Sequence, residues 1–144
     1  MREIEFRGRA TCDVEGICKV GDWIYGNLIN HYPNPYIVGE IADIDIDYIA
    51  HEFWVPVNSV GQYSGIKDKN GTKVWEGDIM KSAYTGCHEV KFKRGAFYSA
   101  HRSKDGERLC CNPYWGTLDE MCRSEEVIGN IYENPELLEA TDDK

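Results

Sequence analysis

Val60-Gly61-Gln62-Tyr63-Ser64-Gly65-Ile66-Lys67-Asp68-Lys69-Asn70-Gly71-Thr72-Lys73-Val74-Trp75-Glu76-Gly77-Asp78-Ile79 is the densest stretch of structural signal in the chain. It reads as a hairpin followed at once by a second turn. Asp68, Lys69, Asn70 and Gly71 are turn residues, and Asn70-Gly71 suits the positive φ angles of a type I′ hairpin turn. Val74 and Trp75 open the returning strand. Glu76, Gly77 and Asp78 then make a tight turn before Ile79 and Met80.

The same alternation of short strands and turns extends in both directions. Upstream, Ile4 and Phe6 alternate with Glu3, Glu5 and Arg7, the period of a half-buried strand. Cys18 to Leu28 places Trp23 and Tyr25 on one face. Pro33-Asn34-Pro35 is a loop, because each proline removes a donor. Ala42, Ile44, Ile46 and Tyr48 then alternate with Asp43, Asp45 and Asp47 in the cleanest period-two run of the chain. Downstream, Glu89 to Lys93 alternates likewise, Gly95 bends the chain, and Ala96 to His101 returns. Lys104-Asp105-Gly106 is the next turn. Helical signal is confined to Thr117–Cys122, with Thr117 and Glu120 as a capping box, and to Asn134–Glu139, a cap followed by proline. The predicted class is therefore mainly β, α+β by strict count, with one or two short C-terminal helices. The predicted organisation is an N-terminal antiparallel region over residues 1–59, a second β region over 60–138, and a frayed acidic tail over 139–144.

The 144 residues carry 16 Lys+Arg against 25 Asp+Glu, a formal net charge of −9, with 42% hydrophobic residues. That excludes a generally cationic nucleic-acid binder and a disordered chain. No apolar run approaches the roughly 20 residues of a membrane-spanning helix, so no membrane partner is expected. No hydrophobic stretch follows the N-terminus as a signal peptide requires, and a cytoplasmic location is the expectation. The charge is segregated. Residues 40–52 hold five acids and no base, 91–108 hold six bases and two acids, and 119–144 hold nine acids and two bases. One basic segment lies between acidic ones, which bears on partners rather than on fold.

No cofactor or metal is expected. The six cysteines show no C-x-x-C spacing and read as reduced thiols. A zinc site would need Cys87, His88, His101 and Cys110 or Cys111 to converge from separate strands. Asp43-x-Asp45-x-Asp47 resembles a calcium loop, but that loop wants Gly and Glu at its sixth and twelfth positions, where Tyr48 and Trp54 stand. A solvated strand face fits better. Glu76 and Asp78 form a candidate acid/base pair, yet turn capping by Asp78 accounts for the pattern. No nucleophile is marked by its context, and no catalytic residue is assigned. Val20-Gly21-Asp22-Trp23 echoes Glu76-Gly77-Asp78-Ile79, which shared turn chemistry explains without duplication.

The 60–79 stretch, together with Val127-Ile128-Gly129-Asn130-Ile131-Tyr132-Glu133-Asn134-Pro135-Glu136-Leu137-Leu138, closely resembles the YopX family of phage and prophage proteins. Its pattern is Q-Y-T-G-x-x-D-x-N-G-x-x-I-Y-E-G-D-I with a V-I-G-N-I-Y-E-N-P-E-L-L ending. Ser64 stands for the usual Thr and Trp75 for the usual Tyr or Phe. The resemblance implies a phage-encoded, β-rich protein and no particular reaction. Gly-Asp-Ile after a hairpin, then an alternating strand and a glycine bend, is also similar to small SH3-like barrels, and a barrel is expected over the second region.

The basic residues Lys91, Lys93, Arg94, Arg102, Lys104 and Arg108, interleaved with Phe92, Phe97 and Tyr98, are the candidate contact site. Phe92 is in phase with Val90 and is expected to face the core. The expected function is that of a non-enzymatic phage accessory protein acting through protein–protein contacts, with itself or with a host or phage protein. Nucleic-acid binding by residues 91–108 is the alternative, and an acidic mimic of nucleic acid is a further one.

Overall fold

The computed structural model describes residues 3–43, 46–82, 86–103, 106–109 and 118–139. Residues 40–43, 46–51, 101–103, 106–109 and 120 are described by their backbone alone. The chain divides into two compact units, residues 1–62 and 63–144. The acidic tail from residue 140 onward lies outside the described residues.

In the first unit, strands β1 (Phe6–Arg9), β2 (Trp23–Ile29), β3 (Tyr36–Asp43) and β4 (Ile46–Trp54) form an antiparallel array in the order β4-β3-β2-β1. Cross-strand partners point to the same face, so the register sorts the side chains. Leu28, Ile37 and Phe53 stand in one row. They join Ile24, Val55, Ala10 and Cys18 in a core to which Phe6, Val14 and Val60 add. The next row, Ile29, Tyr36 and Trp54, lies on the opposite face. A short 3₁₀ turn, Val57–Ser59, closes the unit. The Ser59 hydroxyl accepts from the Arg9 backbone N–H at 3.1 Å and donates to the Pro56 carbonyl at 2.8 Å.

Two expectations for this unit are corrected. The run from Ala42 to Tyr48 is not one strand, because Asp43 pairs with Ile46 and Ile41 with Ile49. The chain reverses between β3 and β4, and alternation on both sides of a reversal looks the same in sequence as alternation along one strand. Residues 44 and 45 and the carboxylates of the run lie outside the described side chains. At the N-terminus the strand begins at Phe6, with Ile4 54% exposed and Arg7 only 5% exposed. The Arg7 guanidinium lies 4.2 Å from the centre of the Trp23 ring, a cation–π contact that buries a residue expected to be solvated.

The chain leaves the first unit within strand β5 (Gly61–Lys67), whose first two residues pair with Arg7 and Phe6 and whose Tyr63 pairs with Trp75 of β6 (Lys73–Trp75). The second unit continues with β7 (Asp78–Ser82), β8 (Gly86–Lys93), β9 (Ala96–Ser103), β10 (Gly106–Leu109) and β11 (Glu126–Asn130). These form an antiparallel sheet in the order β10-β9-β8-β7-β11. Helices α1 (Leu118–Cys122) and α2 (Glu136–Glu139) are the two short helices expected. Val74, Met80, Val90, Leu118 and Cys122 form the core, with Ile66, Phe97 and Val127 packed against it. The mainly β, antiparallel class is as predicted. The described strands do not close into a barrel, since β10 and β11 end the sheet order. Among the described residues no helix is long and apolar enough to cross a membrane.

Glu125 follows α1 and is 5% exposed, with its Oε2 buried and unbonded among the described residues. Burial pushes its carboxyl above the ordinary 4.5, partly offset by a hydrogen bond from Ser82. A carboxyl with a raised folded-state pKa contributes fully below 4.5, and that contribution is lost as pH rises through the folded value. Glu125→Gln keeps an acceptor for Ser82 without the charge. It is expected to leave stability unchanged near pH 4 and to raise it by about 1 kcal/mol at pH 8, as read by urea unfolding. A variant less stable than the wild type at pH 8 would show that the carboxylate is accommodated.

Candidate functional site

The basic segment begins on β8 and turns back along β9. Strand β8 pairs with β7 only from Gly86 to Glu89, and β9 pairs with β10 only from Ala100 onward. Between these limits Lys91 pairs with Tyr98, Phe92 with Phe97 and Lys93 with Ala96. Residues 91–98 therefore form a two-stranded ribbon with no strand on either flank among the described residues, roughly 10 Å long at a strand rise of about 3.4 Å. The loop at its tip is Arg94-Gly95, with φ of 53° and 79°. Positive φ at both loop residues is the type I′ geometry that matches the twist of a hairpin. For Arg94 the left-handed conformation costs about 1 kcal/mol, which an Asn or Gly would largely avoid.

Lys93 and Arg94 are exposed, and Lys91 is half-buried with its Nζ 3.7 Å from a Glu89 carboxylate oxygen. Phe92 does not enter the core as its phase with Val90 predicted. It is 45% exposed and packs edge-on to Phe97, with ring centres 4.9 Å apart. The alternation is intact, but the ribbon outruns the layer beneath it, so Val90 meets the core while Phe92 overhangs. Arg102 and Arg108 lie on β9 and β10 with only their backbones described, and Lys104 lies outside the described residues. The structure thus places Lys91 and Lys93 on the face of the ribbon opposite Phe92 and Phe97, with Arg94 at its tip.

The other candidates hold the backbone in shape. Asp68 is 7% exposed. Its Oδ1 accepts from the Asn70 and Thr72 N–H groups at 2.9 Å each, and its Oδ2 accepts from the Val127 N–H at 2.9 Å. Burial raises this carboxyl, but the three N–H donors and the Lys69 charge outweigh it and hold the group below the ordinary 3.8. The turn differs from the type I′ expected. Gly71 alone has positive φ, and its N–H donates to the Asp68 carbonyl, giving a type I turn followed by a left-handed glycine. Asn70 donates to Glu126 at 3.1 Å instead. In the second turn Asp78, 2% exposed, accepts the Trp75 N–H at 2.8 Å. Gly77 donates to the Val90 carbonyl and accepts from the Ile131 N–H. Half-buried Glu76 completes that turn. Asp22 accepts the Lys19 N–H with the same spacing, so the echo between the two Gly-Asp sites is turn chemistry.

Neither thiol with a shifted pKa is primed for attack. Burial raises Cys87, with Lys81 opposing. Cys122 is pushed up to about 12 by burial, then by the charges of Glu125, Asp119 and Asp68. Cys12 and Cys18 are also unbridged, while Cys110, Cys111 and the side chain of His101 lie outside the described residues. Among the described residues no three His, Cys, Asp or Glu side chains are placed to share a metal ion.

One surface escaped the sequence reading. Ile29 (41% exposed), Tyr36 and Trp54 (46% exposed) stand side by side across three strands. His31 packs edge-on to Trp54 at 5.2 Å. The signal is the three-strand register, which no local pattern carries.

These features define a class: a two-unit antiparallel β protein whose titratable turn residues are engaged in the backbone, and whose most prominent surface element is a basic ribbon. The family model described as "YopX protein" matches residues 25–139, well over half of the chain, and the chain belongs to the YopX family. A comparison with the curated proteins finds no match. Among solved structures, the crystal structure of protein EF1440 from Enterococcus faecalis is similar in fold. Its TM-score is 0.52 at 21% identity, over 96% of this chain and 99% of that one.

Proposed function

We propose that this chain is a non-catalytic accessory protein of phage or prophage origin, working in the cytoplasm, that grips another protein with the ribbon of residues 91–98. The observation that carries this reading is the ribbon itself: with no strand on either flank among the described residues, it exposes Phe92 on one face, Lys93 on the other, and a left-handed arginine at the tip. An exposed aromatic on one face, with cations at the tip and on the other face, offers a protein partner both an apolar anchor and a charged margin. Nucleic-acid binding is the second reading, favoured by the interleaving of cations with Phe92 and Phe97. The net charge of −9 opposes it, because the rest of the chain repels a polyanion.

The discriminating variant is Lys93→Glu/Arg94→Glu, which lies at an exposed tip and leaves the core untouched. Binding of the wild-type chain to immobilised copies of itself and to proteins of a host extract is expected to fall with salt and to disappear in the variant, with the same Tm in both. Salt-dependent retardation of DNA or RNA that vanishes in the variant would establish the second reading. A variant that binds every partner as the wild type does removes the ribbon from the function.

A further inference from the structure

We infer that Asn70 is a modification site: its side-chain amide converts to a carboxylate without an enzyme, at a rate set by opening of the Asp68 turn, and the conversion loosens β11 from that turn. The inference is independent of the ribbon and of what the ribbon grips.

The reacting unit is the peptide joining Asn70 to Gly71, the one Asn-Gly pair among the eight asparagines of the chain. The other asparagines are followed by Leu, His, Ser or Ile, whose side chains crowd the attacking nitrogen, or by Pro, which has no N–H. Hydroxide takes the Gly71 N–H proton, and the nitrogen attacks Asn70 Cγ. The new N–C bond closes a succinimide ring and the Cγ–Nδ2 bond breaks. The amide leaves as ammonia with a proton from water, which restores the hydroxide. Water then opens the ring at either carbonyl, leaving aspartate or isoaspartate at position 70.

Both residues are exposed, and nothing lies within 4 Å of a carbon added to Gly71, so water and hydroxide reach the site. The closed turn holds the step back. The Gly71 N–H donates to the Asp68 carbonyl at 3.0 Å, which retains the proton that must leave. The Asn70 side-chain amide donates to Glu126 Oε2 at 3.1 Å and its backbone N–H to Asp68 Oδ1 at 2.9 Å, so Cγ is pinned at both ends. The carboxylates of Asp68 and Glu126 also oppose the negative charge that develops on the Gly71 nitrogen. Reaction therefore waits on local opening.

The product cannot rebuild these bonds. Aspartate at position 70 has no donor for Glu126 and sets two carboxylates face to face. Isoaspartate adds one carbon to the main chain between the N–H groups of residues 70 and 72, which share Asp68 Oδ1. Asp68 also accepts the Val127 N–H, so the disturbance passes to the start of β11.

The test incubates the full chain in mildly alkaline buffer, folded and in guanidinium, and follows every asparagine by peptide mapping and mass spectrometry. Residue 70 is expected to convert first in both, at least about tenfold more slowly in the folded chain. Glu126→Ala, which removes the acceptor of the Asn70 amide, is expected to speed the folded-state conversion by roughly threefold. Asn70→Asp, which is the aspartate product, is expected to lower Tm by about 4 °C and to speed hydrogen exchange at the Val127 N–H by about tenfold. Glu126→Gln in that background is expected to restore part of both losses by removing one of the facing charges. Equal conversion rates in the folded and unfolded chain, or another asparagine converting first, overturn the site. Wild-type Tm and wild-type exchange at Val127 in Asn70→Asp overturn the loosening of β11.

Discussion

Asp68→Ala is expected to lower the stability of the chain by about 3 kcal/mol, moving Tm down by roughly 10 °C. The carboxylate takes three backbone N–H bonds, from Asn70 and Thr72 in its own turn and from Val127, 59 residues away, at the start of β11. Removing it leaves those donors at a site where Asp68 itself is nearly buried. The effect reaches beyond the turn because Val127 packs against the core of the second unit. Asp68→Asn is expected to lose less, since one amide oxygen still accepts while the NH₂ group faces a donor. The pH dependence has a definite sign. The folded pKa lies below 3.8, so the contribution is full above that value and is lost as pH falls through the folded pKa. The stability gap between wild type and Asp68→Asn should therefore be widest at neutral pH and narrow in strong acid. Urea midpoints at both pH values measure it, and a gap independent of pH would mean that the charge has no part in holding the turn.

Gly26→Ala is expected to cost about 3 kcal/mol or more and to weaken the pairing of β2 with β3. A Cβ on Gly26 would lie 2.2 Å from the Val38 carbonyl oxygen and 2.9 Å from its carbon. Both are backbone atoms, so relief requires moving the strand that carries Ile37 into the core. Gly16→Ala is the control. Its φ is also positive, at 77°, but nothing lies within 4 Å of the added carbon. Only backbone strain of about 1 kcal/mol is expected there. Thermal unfolding of the two variants side by side separates close approach from conformational strain. Equal losses would remove the close approach as the cause.

The contrast between these residues explains what the sequence makes legible. The hairpin at residues 60–79 and the ending at 127–138 are built from Asp, Asn, Gly and Pro at turn positions, so the places of their turns could be read directly, though not the type of the turn at Asp68–Gly71 or the bond from Asp68 to Val127. The β3–β4 reversal could not, because between Asp43 and Ile46, which pair with each other, the sequence has none of the glycine, asparagine or proline that usually punctuates a hairpin. Phe92 was misplaced for a different reason. Its phase was right, but whether a core lies beneath it depends on where β7 stops, which is fixed elsewhere in the chain. The basic cluster was visible as composition; that Lys91, Lys93 and Arg94 lie, among the described residues, on an overhanging hairpin with Phe92 depends on the pairing limits of β7 and β10. Trp54, Tyr36 and Ile29 are brought into a row by two long-range registers, and no window of sequence contains all three.

The three Asx clamps at Asp68, Asp78 and Asn130 lead to a consequence for kinship. Asn130 accepts the N–H groups of Tyr132 and Glu133 through its Oδ1, as Asp68 and Asp78 accept their neighbours'. Within the two stretches that carry the family resemblance, these three side chains are thus occupied with main-chain atoms and lie outside the ribbon tip. The charges between residues 91 and 98 can therefore be altered without touching any of the three clamps. The side chains of the family pattern named here are ones that hold the scaffold, and they lie outside the segment whose contacts Lys93→Glu/Arg94→Glu would test.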